Sequence, residues 1–166
     1  MNIRNALPNE LNYIRNQRMN AYSEHAQAIS EEHWKALKQA ISSEADVQEG
    51  VELMVAELQG EIVGSVALFP PKSDAYEGLV GEIDYSEIRL LAVTPEARGK
   101  GVALALINEC IARTKGKGYH AIGLHTADFM KSALALYERI GFERLPQYDF
   151  EPADDGVTVK AFRLAI

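Results

Sequence analysis

Residues 94–101 read "TPEARGKG" and run directly into the apolar stretch "VALALINECIAR". Two glycines and two cations therefore stand immediately ahead of a helix-period pattern. A helix N-terminus presents free backbone N–H groups and the positive end of the helix dipole, so it suits an anion. Gly99 and Gly101 let the backbone come close, and Arg98 and Lys100 add charge, so the chemistry on offer is phosphate binding. Two well-known phosphate loops do not match. A Walker A loop ends in Gly-Lys-Ser/Thr after a fixed spacing that is missing here, and a Rossmann fingerprint needs glycine where Leu104 stands. On the turn alone a second reading stays open, a tight strand-to-helix connection whose cations are merely solvated. Among other reactive residues, Cys110 falls on the apolar side of the following helix and reads as packing rather than nucleophile. His25, His33, His120 and His125 show no ligand spacing such as H-E-x-x-H, so no metal is expected.

The elements that must position this turn are legible around it. "SEIRLLAV" reads as a strand apolar enough to be buried on both faces. The helix runs from about Gly101 to Lys115, with Ala103, Leu106, Ile107, Cys110 and Ile111 along one side. Upstream, a short strand near Ile3 precedes a helix opened by Pro8-Asn9, and Ser30 caps a second helix through Trp34, Leu37 and Ile41. "VELMVAELQGEIVGSVALF" reads as a hairpin turning at Gln59-Gly60, and "PPKSDAYEGLVG" as a loop. Downstream, "HAIGLHT" reads as a strand and "KSALALYERIG" as a helix ended by Gly141. "FERLPQYDF" and "VTVKAFRLAI" read as two closing strands. Helices inserted between strands without strict alternation predict a single α+β domain over residues 1–166, around one central sheet with about four helices.

The 166 residues, 47% hydrophobic and 25% charged, fit one ordinary globular domain. A formal charge of −7 argues against a general nucleic-acid binder and would attract cationic amines. One cysteine cannot form an internal disulfide, and no apolar run approaches membrane-spanning length, so a cytoplasmic protein is expected.

Two blocks carry a family resemblance. "LLAVTPEARGKGVALALI" resembles the acetyl-CoA-binding segment of the GNAT superfamily of N-acetyltransferases, whose Arg/Gln-x-x-Gly-x-Gly/Ala signature is matched by Arg98, Gly101 and Ala103. "ALALYERIGF", Ala133 to Phe142, resembles the family's later A-x-x-L-Y-x-x-x-G-F segment. The resemblance implies a mixed, mostly antiparallel sheet, splayed open where the strand near Val93 parts from the strand near Leu124. Acetyl-CoA as cosubstrate would lie in that cleft. Its pyrophosphate would meet the amides of Gly99, Lys100, Gly101, Val102 and Ala103 beside Arg98, and its pantetheine arm the backbone of Leu91, Ala92 and Val93.

The implied activity is transfer of an acetyl group to a primary amine by direct transfer in a ternary complex. A non-catalytic acyl-CoA-binding module is the alternative. Glu87 occupies the glutamate position of E-x-x-x-L-A-V, where some family members carry a general base acting through water. Strand parity puts it on the face of Arg89, Leu91 and Val93 unless a bulge intervenes, and leaves Glu82 and Asp84 opposite. Tyr137 takes the place of the family's general acid at the thioester sulfur. Relatives often carry Asn where Met130 stands, with Lys131, Ser132 or Asp128 as substitutes. The acceptor would be bound by the first two helices and residues 70–81. The acidic residues Glu77, Glu82, Asp84 and Glu87 hint at a small cationic amine, with a protein N-terminus or lysine as the other acceptor class and solvated surface charge as the plainer reading. Family members often dimerise, so a homodimer is a further implied partner.

Overall fold

A computed structural model describes residues 1–72 and 83–166. The described residues form a seven-stranded sheet and four α-helices. The strands are β1 (Asn2–Asn5), β2 (Glu52–Leu58), β3 (Glu61–Phe69), β4 (Ser86–Val93), β5 (Ala121–Ala127), β6 (Glu143–Arg144) and β7 (Val159–Ala165), in the spatial order β1-β2-β3-β4-β5-β7-β6. Only β4 and β5 run parallel; the other neighbours are antiparallel. The helices are α1 (Leu11–Tyr22), α2 (Glu31–Ile41), α3 (Val102–Gly116) and α4 (Lys131–Ile140).

Local chemistry accounts for most boundaries. The β2–β3 hairpin turns through Gln59 and Gly60, both with positive φ, the geometry that matches the strands' right-handed twist. Ser30 Oγ accepts the His33 amide at 3.1 Å and caps α2. Gly141, at φ 112°, ends α4 in the left-handed conformation. One closing strand is shorter than its sequence suggests. In "FERLPQYDF" only Glu143–Arg144 forms a strand, Pro146–Tyr148 is a 3-10 turn, and Phe150 makes a single bridge to Val159. Pro146 lacks the N–H that a continued ladder requires.

The sheet separates two apolar layers. Met54, Val66, Leu68, Ile88, Ile122 and Leu124 pack under Leu106, Ile107 and Cys110 of α3 and Tyr137 of α4. Val55, Ala67, Phe69 and Leu90 pack on the other face against Ile14 of α1 and Ile41 of α2. Burying side chains of this size contributes about 1.5–3 kcal/mol each. Beneath the second layer Arg18 is fully buried, meeting Asp46 at 3.2 Å and the Ile41 carbonyl at 2.7 Å, while Arg15 grips the same carboxylate. This ties α1 to the end of α2. Among the described residues no helix is long and apolar enough to cross a membrane.

Candidate active site

The glycine turn leads directly into α3. Gly99 and Gly101 both sit near φ +79° or just below it, and α3 starts at Val102 with Gly101 as its N-cap. A Cβ at either position would meet no other atom, so the left-handed backbone, not crowding, calls for glycine. No side chain caps α3 and no acidic residue occupies its first turn. Its first amides therefore have no intrahelical acceptor and suit an anion. Val102 is buried and offers only its backbone, whereas Lys100 is exposed. Arg98 is more committed than the sequence suggests. Its guanidinium pairs with Glu24 and donates to the Ala21 carbonyl at 3.2 Å, bracing the turn against the end of α1.

Beside this turn the sheet splits. β4 and β5 pair only at Ser86–Ile122, Glu87–Gly123 and Ile88–Leu124, and beyond Ile88 the two strands part. The Leu91–Val93 segment thus borders the opening while its other edge stays on β3. Thr94 donates to the Val63 carbonyl at 2.8 Å and Val93 faces Gly64. Antiparallel alternation then turns the Val93 amide and carbonyl away from β3, toward the split. Leu91 lends its carbonyl to the Tyr22 hydroxyl at 2.9 Å.

A bulge changes the side-chain order of β4. Ser65 pairs with Ala92 and Ala67 with Arg89, so β4 carries one extra residue there, and Leu90 takes φ 59°. Glu87 and Arg89 share a face as parity predicts, with the Arg89 guanidinium over the Phe69 ring. Leu91 and Val93 do not join them: both pack into the α3 layer, while Leu90 packs into the α1–α2 layer. Ala92 is buried.

Tyr137 is 5% exposed and meets the Phe142 ring edge-on at 5.8 Å. Burial, with Tyr22 and Cys110 nearby, pushes its phenol well above the usual range. No described residue makes a hydrogen bond to its hydroxyl. Tyr22, from the opposite layer, is also held above its usual range by burial. Burial pushes the Cys110 thiol up to about 12, so it is a thiol at neutral pH and a poor nucleophile.

Glu87 is 3% exposed, and its Oε2 lies 3.2 Å from His125 Nδ1. The other ring nitrogen, Nε2, lies 2.9 Å from the Tyr148 carbonyl. Tyr85 lies beside this pair. Its ring covers Gly123 so closely that any Cβ there would overlap it, and the Arg163 guanidinium lies over the ring, 5.8 Å from its centroid. Burial, then the Glu87 charge, pushes the Tyr85 phenol up to about 12. Asp149 accepts from the Ala161 amide and pairs with Arg144.

Sequence reasoning missed His125, Tyr85 and Tyr22. The available signal was modest: a histidine two residues beyond Gly123 in an apolar strand, on the side opposite Leu124. Asp84 is exposed. Glu77, Glu82 and most of the 70–81 loop lie outside the described residues. Of the substitutes for the missing Asn, Asp128 is occupied by the Thr158 amide at 3.3 Å, Met130 Sδ accepts from the Thr126 hydroxyl, and Lys131 and Ser132 are exposed.

The model of the acetyltransferase (GNAT) family matches residues 11–142. A curated relative, the uncharacterized N-acetyltransferase YjgM of Escherichia coli (strain K12), is 34% identical over 99 residues, which is 59% of this chain and 54% of that protein. The chain thus spans about half the length of that relative. Among solved structures, PaiA N-acetyltransferase from Thermoplasma acidophilum, in complex with coenzyme A, superposes with a TM-score of 0.71 at 16% identity, covering 99% of this chain and 98% of that one. A GNAT family acetyltransferase from Brucella melitensis, in complex with acetyl-CoA, superposes at 0.65 and 21% identity, over 99% and 87%. These likenesses are of the overall fold. With the family model spanning both sequence blocks and every strand from β2 to β5, the chain belongs to the GNAT acetyltransferase family.

Proposed function

We propose that the chain transfers the acetyl group of acetyl-CoA to a primary amine, directly, within a ternary complex. The observation that carries this reading is the split between β4 and β5, flanked by the uncapped start of α3 and by the outward-turned backbone of Val93. The donor set fits the coenzyme: free amides at 101–103 with Lys100 beside them for a diphosphate, and a strand edge for the amides of its arm. Family relatives solved with coenzyme A and acetyl-CoA support the same ligand. Arg98 enters as a brace of the turn whose charge still faces the anion.

The acceptor reaches the site as an ammonium, since an alkylamine near pKa 10 is almost wholly protonated at pH 7. Glu87 is the base that removes that proton, through water. Tyr137 returns a proton to the leaving sulfur. With ordinary values that transfer is uphill by about 2 kcal/mol, and burial of the phenol makes it steeper. Tyr137 therefore gives its proton late, as charge develops on sulfur, rather than beforehand. The reading extends to a pair of chains, which sedimentation tests.

The test is an acceptor screen following release of free thiol from acetyl-CoA, with alkylamines, polyamines, lysine and a peptide with a free N-terminus as the panel. Intersecting steady-state patterns are expected. Parallel patterns with a trapped acetyl-enzyme would overturn direct transfer. Coenzyme binding without thiol release for any amine would leave a binding module.

A further inference from the structure

We infer that His125 is a positioning residue for Glu87: the two side chains hold one proton between them, and the pair, rather than the carboxylate alone, takes up the proton that the amine gives up. This rests on the function proposed above. A carbonyl oxygen can only accept, so His125 Nε2, at 2.9 Å from the Tyr148 carbonyl, carries a hydrogen. A neutral ring of that tautomer would aim the Nδ1 lone pair at Glu87 Oε2, 3.2 Å away. Two lone pairs cannot face each other there without repulsion, so a proton lies between them.

Burial points the same way. The two side chains are 1% and 4% exposed, and a buried charge is tolerated only when paired. With the shared proton the pair is neutral overall. Among the described residues, the charged and titratable groups around it include Tyr85, Tyr148, Asp149 and Arg163, with Arg89 on the same face of β4. Asp149 is already bound to Arg144 and to the Ala161 amide, so it steadies the imidazolium without competing for the proton.

In the working form the shared proton has left, giving a carboxylate beside a neutral imidazole. The ammonium N–H bond then breaks, its electron pair stays on nitrogen, and the proton moves onto the pair. The amine forms the C–N bond and the C–S bond breaks with its electrons on sulfur, which takes the Tyr137 proton. Tyr137 recovers a proton from the second N–H of the new amide, and the pair returns its own to water.

The experiment follows kcat against pH for the full chain, with saturating acetyl-CoA and the panel amine giving the highest rate, alongside ¹⁵N NMR of His125 in the same protein. A rising acid limb is expected, together with loss of the Nδ1 proton at the same pH while Nε2 stays protonated throughout. In His125→Asn, which can donate to Glu87 but not titrate, the limb should move down by roughly one pH unit or more. Its plateau should fall about tenfold as the base weakens. In Glu87→Gln the Nδ1 transition should move to lower pH. An acid limb unmoved by His125→Asn, or an Nδ1 transition at a pH unrelated to the limb, would overturn the inference. If His125→Asn does not fold, the wild-type NMR transition decides. A chain that acetylates no amine removes the proposed function, yet NMR still reports whether the proton is shared.

Discussion

Tyr137 is a buried phenol to which no described residue makes a hydrogen bond, so removing its oxygen leaves no described group stranded. Tyr137→Phe is therefore expected to keep the melting temperature while lowering kcat about a hundredfold or more, the usual contribution of a positioned acid, with acetyl-CoA affinity little changed. Equal turnover in the two proteins would remove the acid role. Gly123 shows the opposite dependence. The Tyr85 ring lies where a methyl would go, so Gly123→Ala forces that ring off Glu87 and is expected to destabilise the fold by about 1–3 kcal/mol. Urea denaturation measures this, and the displaced Tyr85 should also move the acid limb of the rate. Cys110, buried on the inner face of α3, should react with a disulfide reagent only after the chain unfolds.

At the scale of elements, features fixed by neighbours in sequence were legible and features fixed by distant pairing were not. The Ser30 cap, the Gln59-Gly60 turn and the Gly141 stop each depend on a few adjacent residues, so the chain states them locally. The β4 bulge arises from the pairing of Ser65 and Ala67 on another strand, and "SEIRLLAV" carries neither glycine nor proline to announce it. Its effect is large: it sends Leu91 and Val93 to the face opposite Glu87. The Glu87–His125 contact was hidden for the same reason, since 38 residues separate its members. The start of α3 is the local case that can be tested directly. Gly101→Ala meets no steric obstacle but must hold φ 79°, which costs roughly 1–2 kcal/mol. It is expected to lower acetyl-CoA affinity more than stability, as the amides at 101–103 lose their aim; calorimetry with acetyl-CoA reads the difference.

For the whole molecule the same ion pairs and burials set a pH window. Arg4 bonds to Glu10 and lowers its pKa; Glu52, although burial pushes it up, is held lower still by Lys117 and Arg113; Arg144 bonds to Asp149 and lowers that one. These contacts tie the start of α1 to β1, α3 to β2, and the segment after β6 to that strand. A carboxylate whose folded value is depressed adds stability above its unfolded value and loses it as pH falls through the folded one. Stability should thus decline below about pH 4. The alkaline side follows from burial with the opposite sign. Cys110 and Tyr85 are raised to about 12 in the folded chain, so their contribution is intact below the unfolded values, near 9 and 10, and is lost as pH rises toward 12. For Cys110, enclosed in the core, each pH unit across that span costs at most about 1.4 kcal/mol, whereas the part-exposed Tyr85 contributes less because solvent screens it. Cys110→Ala separates this effect from general alkaline damage. It leaves a cavity and lowers stability at pH 7, yet its stability should fall less steeply between pH 9 and 11 than that of the wild type. Equal slopes in the two urea titrations would mean that the buried thiol does not set the alkaline limit.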